Sequence, residues 1–283
     1  MRLIALTLAA AAILAAQPVK KQAEVFGQKL NYIEAGPEGP PVILLHGLGG
    51  DVTNWSFAIP AISAKYHVIA IDQIGFGASD KPAIAYRVGT LVDFLGGFMK
   101  KTGIAKATLV GNSLGGWTAA AFALAHPEMV DKLVLVDAAG LSNARLNLPP
   151  LTREALSGLR PSTLAGVKRI LATIFTNPMF QTDAAAEQYF TNLMRKSDGP
   201  TIAAFVESVL RGEDYLDGQT AKIKAPTLVI WGRQDGLVPL AFGEAYAADI
   251  PGAKLKVIDK CGHVPQVECA AAFSKELLAF LEP

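Results

Sequence analysis

Histidine and cysteine are scarce in this chain, with four of the one and two of the other among 283 residues. The two cysteines, Cys261 and Cys269, have no further Cys or His at ligand spacing, so nothing in the sequence builds a structural metal site, and no metal is expected. Charge of either sign is also lacking in excess. Twenty-six Lys and Arg face 25 Asp and Glu, a formal balance of +1. That balance excludes the electrostatic footprint of a nucleic-acid binder, and no nucleic-acid partner is expected. Internal repeats, low-complexity tracts and long charge runs are missing too. What remains is apolar: hydrophobic residues make up 51% and charged residues only 18%. A chain of this length and content is globular and can bury one large core.

The first residues are apolar in a different way. Arg2 precedes an almost uninterrupted apolar run over 3–16, and Ala15-Ala16-Gln17-Pro18 supplies small residues before a polar switch. The run falls short of the roughly 20 residues that span a bilayer. It reads as a signal peptide over 1–16, with an uncleaved membrane anchor as the alternative. No Cys follows that could carry a lipid, so the expected location is periplasmic or secreted, with no stable membrane span in the mature protein. In an oxidising compartment Cys261 and Cys269 are able to pair; the other reading is two small buried side chains.

From residue 24 onward, apolar runs of strand length alternate with helical patterns. Residues 24–34 suggest a hairpin, and 42–45, 66–72, 108–111 and 132–137 suggest strands. Residues 91–101 place Leu91, Phe94, Leu95 and Phe98 on one helical face, and 117–125 form a helix that ends before Pro127. Short apolar strands separated by helices imply a mostly parallel sheet covered on both faces, an α/β fold. The alternation stops after Gly140. Residues 141–218 show only helical stretches, around 162–175, 184–196 and 201–210, punctuated by prolines. We read them as an inserted lid between a first core part, 17–140, and a second, 219–283. The strand pattern then returns at 227–231 and 254–258, with helices near 240–248 and 270–281.

Chemistry concentrates in Gly111-Asn112-Ser113-Leu114-Gly115, which falls at a strand-to-helix turn. A serine on such a turn is pushed out above the sheet, and small residues two places either side let strand and helix approach. A serine hydroxyl needs a base, and the base needs a group to hold its tautomer. Among four histidines the base candidate is His263, in the loop between the last strand and last helix. Asp235, after the strand at 227–231, is the acid candidate; Asp137, ending the strand at 132–137, is its rival and otherwise a hydrogen-bonding partner for the loop that launches the lid. The order Ser113, Asp235, His263 is the order this architecture uses. Backbone N–H groups are the best donors to an oxyanion. Those of Leu114 and, in His46-Gly47-Leu48-Gly49-Gly50, of Leu48 rather than Gly49 are the candidates. His46 is read as a loop organiser, and His67 and His126 as structural. Asn112 and Trp117 are candidate substrate contacts, with packing as the other reading of Asn112. In the lid, Phe175, Met179, Phe180, Phe190 and Phe205 line either the pocket or the lid's own core, while Arg195 and Arg211 read as surface charges.

Together these segments, with Asp72-Gln73-Ile74-Gly75-Phe76-Gly77-Ala78-Ser79-Asp80 and Cys261-Gly262-His263, resemble the α/β-hydrolase superfamily, in its lid-bearing branch of serine esterases, lipases and meta-cleavage-product hydrolases. The resemblance implies a central, mostly parallel sheet with an inserted helical lid and catalysis without a cofactor. Ser113 stands where similar haloalkane dehalogenases and epoxide hydrolases carry Asp, which disfavours those activities. Asn112 and the Cys261-Gly262-His263 turn, followed by Gln266 and Glu268, look similar to C–C hydrolases, which usually work in the cytoplasm. The apparent export signal argues against that branch. The main expectation is therefore a carboxylesterase or lipase-like serine hydrolase for small to medium apolar esters. A C–C bond hydrolase is the alternative, and a ligand-binding protein with negligible turnover is a second. The sequence leaves the oligomeric state open.

Overall fold

The computed structural model describes residues 18–282, so the expected signal peptide, and its alternative as an anchor, lie outside the described residues. Among those described, no helix is long and apolar enough to cross a membrane. Eight strands form one sheet: β1 (Val19–Val25), β2 (Gln28–Ala35), β3 (Pro41–Leu45), β4 (His67–Ile71), β5 (Ala107–Asn112), β6 (Val130–Val136), β7 (Thr227–Gly232) and β8 (Lys254–Ile258), in the order β1-β2-β4-β3-β5-β6-β7-β8. β2 runs antiparallel to β1 and β4, and every other neighbouring pair is parallel. This is the α/β-hydrolase fold. The first strand begins at Val19, five residues before the hairpin expected from residue 24, because Lys20, Lys21 and Gln22 lie exposed on an edge strand and mask the apolar alternation.

Side-chain alternation divides the core between the two faces of the sheet. Ile43, Leu45, Ile69, Ile71, Leu109, Leu133, Leu135, Val229 and Trp231 pack on one face, and Val42, Leu44, Val68, Ala70, Val110, Val134, Val136, Leu228 and Ile230 on the other. Apolar strands bury both faces only when helices cover both. The helices Val88–Thr102, Leu114–Ala125 and Leu240–Asp249 contribute Leu91, Phe98, Phe122 and Tyr246 to the first face, while Ala270–Leu281 brings Phe273 and Leu277 to the second.

Between β6 and β7 lie the helices Arg153–Ser157, Leu164–Ile174, Asp183–Lys196 and Gly199–Leu210, close to the stretches read from sequence. Thr163 and Thr182 cap two of them, each side chain accepting a backbone N–H three residues on. Val167, Leu171 and Ala186 form a small core of their own, against which Phe175 and Phe190 pack. Phe205, on the last of these helices, stacks on Phe76 at 5.8 Å and so joins the insertion to the main core.

Candidate active site

Register brings the functional loops to one edge of the sheet. Leu45 pairs with Gly111, Asn112 with Val136, Val136 with Ile230, and Gly232 with Ile258. Consequently His46, Ser113, Asp137, Asp235 and His263 all leave the carboxyl ends of adjacent strands within a few residues. Open α/β sheets build their sites along this edge.

Ser113 joins β5 to the helix Leu114–Ala125 with φ 55° and ψ −118°, a conformation a side-chain-bearing residue rarely adopts. Its N–H donates to Val136 O at 3.0 Å, which pins the turn to the next strand. The turn is possible because its flanks are glycine. A Cβ on Gly111 would lie 2.1 Å from Gly115 O, and one on Gly115 2.1 Å from Leu45 O. Either would push helix, strand or neighbouring loop away from the serine.

His263 and Asp235 meet through a 2.7 Å contact between Nδ1 and Oδ2, with both side chains buried. Asp235 is itself held, its Oδ1 accepting the N–H groups of Leu237 at 2.7 Å and Val238 at 2.9 Å. With Nδ1–H donating to a carboxylate, the imidazole presents an unprotonated Nε2 to a proton donor. The loop carrying His263 is fixed on several sides. Its own N–H donates to Ile174 O at 2.7 Å, its carbonyl accepts from the Asn112 side chain at 3.0 Å, and Gly262 N–H donates to Glu268. A disulfide joins Cys261 to Cys269 across the same loop.

The oxyanion candidates sit beside the serine. A Cβ on Gly47 would lie 3.1 Å from Ser113 Cβ, so the loop that bears Leu48 passes against the nucleophile turn. Leu114 is the first residue of its helix, where backbone N–H groups have no intrahelical acceptor. His46 is fully buried, and burial lowers its pKa and keeps it neutral. Nε2 accepts the Gln73 N–H at 3.0 Å, Nδ1 lies 2.7 Å from Gly47 O, and Gln73 Nε2 donates back to His46 O at 2.8 Å. Both ring nitrogens are therefore engaged in shaping the loop, away from any proton transfer with substrate.

Other candidates take structural positions. The Trp117 indole is buried, stacks on Tyr215 at 5.1 Å and donates to Asp214 O at 2.8 Å, which accounts for its bulk as a junction between nucleophile helix and insertion. The Asn112 side chain donates to Val136 O and His263 O, fastening the turn to the histidine loop. His67 contacts Glu34 and His126 packs on Phe122. Asp137 was expected to hydrogen-bond the loop that follows β6, and it does not. It is wholly buried, and its Oδ1 accepts the Gly232 N–H at the end of β7. Among the apolar candidates of the insertion, Phe175 stacks on Phe180, Phe205 is core, and Met179 lies exposed. Arg195 is exposed, and Arg211 is paired with Glu213.

Sequence reasoning overlooked one contributor, Lys196, and named another, Glu268, without its contacts. Lys196 ends the helix Asp183–Lys196, where its ammonium reaches Gly49 O at 3.1 Å and Asp51 Oδ2 at 2.7 Å, tying the helical insertion to the loop after β3. Glu268 accepts the N–H groups of Gly262 and, at 2.8 Å, Thr176, which joins the histidine loop to the lid. Lys196 stands in no motif, and Gly49 and Thr176 are distant in sequence from the side chains that hold them.

A family pattern described as alpha/beta hydrolase fold matches residues 40–197 and 185–269. A 2-hydroxymuconate semialdehyde hydrolase from Pseudomonas sp. (strain CF600) is 36% identical over 90% of this chain and 91% of its own. A 2-hydroxy-6-oxo-6-phenylhexa-2,4-dienoate hydrolase from Burkholderia cepacia is 34% identical over 89% of this chain and 91% of its own. A solved meta-cleavage product hydrolase from Pseudomonas fluorescens IP01 superposes with a TM-score of 0.82 at 32% identity, covering 92% of this chain and 96% of that one. The protein is a hydrolase. These relatives overturn the expectation of an ester-cleaving carboxylesterase or lipase-like enzyme and side with the meta-cleavage alternative. The error came from letting the amino-terminal segment outweigh Asn112 and the Cys261-Gly262-His263 turn, which had pointed the other way.

Proposed function

Because the chain belongs to the α/β-hydrolase family, we propose that it is a serine-dependent meta-cleavage-product hydrolase, which adds water across a C–C bond beside a ketone in a 2-hydroxy-6-oxo-2,4-dienoate. The observation that carries this reading is the placement of Ser113, Asp235 and His263 on one sheet edge in a chain 36% identical, over nine-tenths of its length, to a 2-hydroxymuconate semialdehyde hydrolase.

The substrate class makes chemical sense of the site. A C–C bond breaks heterolytically only when the departing carbon leaves as a stabilised anion. Moving the enol proton of such a dienoate to C5 generates a second ketone at C2, whose C3=C4 double bond makes it a vinylogous electron acceptor for the C5–C6 bond. Ser113 Oγ then attacks the C6 ketone while His263 Nε2 takes its proton, and Asp235 stabilises the imidazolium. The N–H groups of Leu48 and Leu114 receive the oxyanion. Collapse of the tetrahedral adduct breaks the C5–C6 bond, its electron pair passing through C3=C4 to the C2 oxygen as a dienolate; the His263 imidazolium protonates this dienolate to the departing dienol and is neutral again, and an acyl group stays on Ser113. His263 then activates water, which releases the acid and restores the serine. No step requires a metal or an organic cofactor.

The test is stopped-flow loss of the dienoate chromophore, for 2-hydroxymuconate semialdehyde and its 6-phenyl analogue, with the wild type and Ser113→Ala. Turnover to a carboxylic acid and a shortened dienol, abolished by the substitution, is expected; persistence of the chromophore with the wild type contradicts the reading.

We also propose that the protein works outside the cytoplasm. The apolar run over 3–16 supports this, as does the Cys261–Cys269 disulfide, since cytosolic thiols are kept reduced. A periplasmic chain beginning near Gln17 is expected on amino-terminal sequencing; an intact chain confined to the cytosol contradicts it.

A further inference from the structure

Asp137 has no part in the relay as described, yet it is the group most tightly enclosed with it. It is wholly buried and held at φ +44°, a strained value for any residue with a side chain. One carboxylate oxygen of Asp137, one of Asp235 and a ring nitrogen of His263 lie within 4.8 Å of one another. Asp137 Oδ1 accepts the Gly232 N–H at 2.9 Å, whereas Oδ2, equally buried, has no hydrogen-bond partner. A carboxylate oxygen left so in the interior is costly, and a second carboxylate beside it makes ionisation of both more costly still.

Asp235 offers what that oxygen lacks. Its carboxylate has roughly four lone-pair sites, of which three are taken by the N–H groups of Leu237 and Val238 and by His263 Nδ1. One acceptor direction remains open. The reverse arrangement, a proton on Asp235 donated to Asp137, would weaken the acceptor that His263 needs for its tautomer.

We propose that Asp137 is a positioning residue that stays protonated at neutral pH and donates its Oδ2–H to Asp235, extending the Ser113–His263–Asp235 relay by a fourth member. The inference rests on the roles given to those three residues but not on the identity of the substrate. A neutral Asp137 spares the site a second buried negative charge and fixes the plane of the Asp235 carboxylate. It leaves His263 facing one net charge. Burial, followed by the negative charge of Asp235, holds the Asp137 carboxyl well above its ordinary range, with Glu268 pushing the same way and the Gly232 N–H opposing. The titratable groups that face it are thus Asp235 after β7, His263 after β8 and Glu268 on the short helix Pro265–Glu268.

The test reads Ser113 reactivity with a fluorophosphonate, which depends on the relay but not on C–C cleavage, beside infrared spectra of the carboxyl region. At pH 7 the wild type should show a protonated-carboxyl C=O band that is absent in Asp137→Asn. Asp137→Asn should label within about threefold of wild type, because its amide N–H replaces the O–H and its oxygen still accepts from Gly232. Asp137→Leu, which can do neither, should label on the order of 10 to 100-fold more slowly. The inference is overturned if the band is absent from the wild type, or if Asp137→Asn loses as much as Asp137→Leu, which would mean that an ionised carboxylate is required. Should the wild type fail to label at Ser113, the relay falls and this inference with it. Labelling without dienoate turnover would overturn the proposed substrate and leave the inference standing.

Discussion

Replacing Asp235 by Asn is the most informative single perturbation of the relay, because its outcome follows from which oxygen does what. Oδ1 accepts two backbone N–H groups, from Leu237 and Val238, while Oδ2 faces His263 Nδ1 at 2.7 Å. In Asp235→Asn the amide oxygen must stay with the two N–H groups, since an NH2 there would face two donors. The NH2 is therefore turned toward His263, where it donates to Nδ1. The ring then carries its proton on Nε2, the position that must accept one from Ser113. Shape and loop contacts are kept, so the fold should remain intact while the base is lost. Wrong-tautomer variants of serine hydrolase relays lose about 10⁴-fold in kcat, equivalent to about 5.5 kcal/mol of barrier. Single-turnover dienoate cleavage is the assay, with KM expected to stay within about threefold. A loss below about tenfold would refute the tautomer argument.

Further expectations concern the surroundings. Asp198, buried beside Lys81 at 3.5 Å, has its pKa pushed up to about 6 by burial, with the Lys81 and Lys196 charges only partly opposing. The folded state therefore holds this proton more tightly than the unfolded one, so stability present below about pH 4 is lost as pH rises through about 6. The loss amounts to about 3 kcal/mol; urea midpoints between pH 4 and 8 should show this slope in the wild type and lack it in Asp198→Asn. Replacing Cys261 and Cys269 together by Ser opens a loop of separation 8. That should cost on the order of 2.5 kcal/mol, read as a fall of several degrees in Tm, and an unchanged Tm would show that the crosslink constrains little. In Gly115→Ala the new Cβ would meet the carbonyl oxygens of Leu45 and His46 at 2.1 and 2.6 Å. Since both are backbone, the oxyanion loop must move, and phosphonate labelling of Ser113 should slow on the order of 100-fold; an unaltered rate would contradict the close-packing account.

The parts of the molecule that could be read from sequence are those set by local rules. Strands β3 to β7 are buried on both faces and spell themselves as apolar runs, and the turn at Ser113 is marked by glycines that close approach requires. Edge strand β1 was read short because solvent, and not the core, decides half of its residues. Chain order singles out Asp235 and His263, which the fold brings into contact, but no pattern could show that Asp137 would lie against both, since β6 and β7 become neighbours only in the sheet. Lys196 escaped for the same reason, since it acts on Gly49, 147 residues away, and the reach of Glu268 to Thr176, 92 residues away, was hidden likewise. Trp117 shows the converse limit, because bulk beside a nucleophile suggests a pocket wall until its indole is found donating to Asp214 O. The choice of substrate was misjudged where a segment about location was allowed to weigh against residues about chemistry.

The most direct test of the central claim is the ratio of kcat/KM for a 2-hydroxy-6-oxo-2,4-dienoate to that for a p-nitrophenyl ester of matched acyl group, measured on the same preparation with Ser113→Ala as the blank. The account predicts that the dienoate is preferred by on the order of 100-fold or more, about 2.7 kcal/mol in transition-state stabilisation, with both activities lost in the variant. An ester preference of similar size, or dienoate cleavage that survives Ser113→Ala, would contradict it.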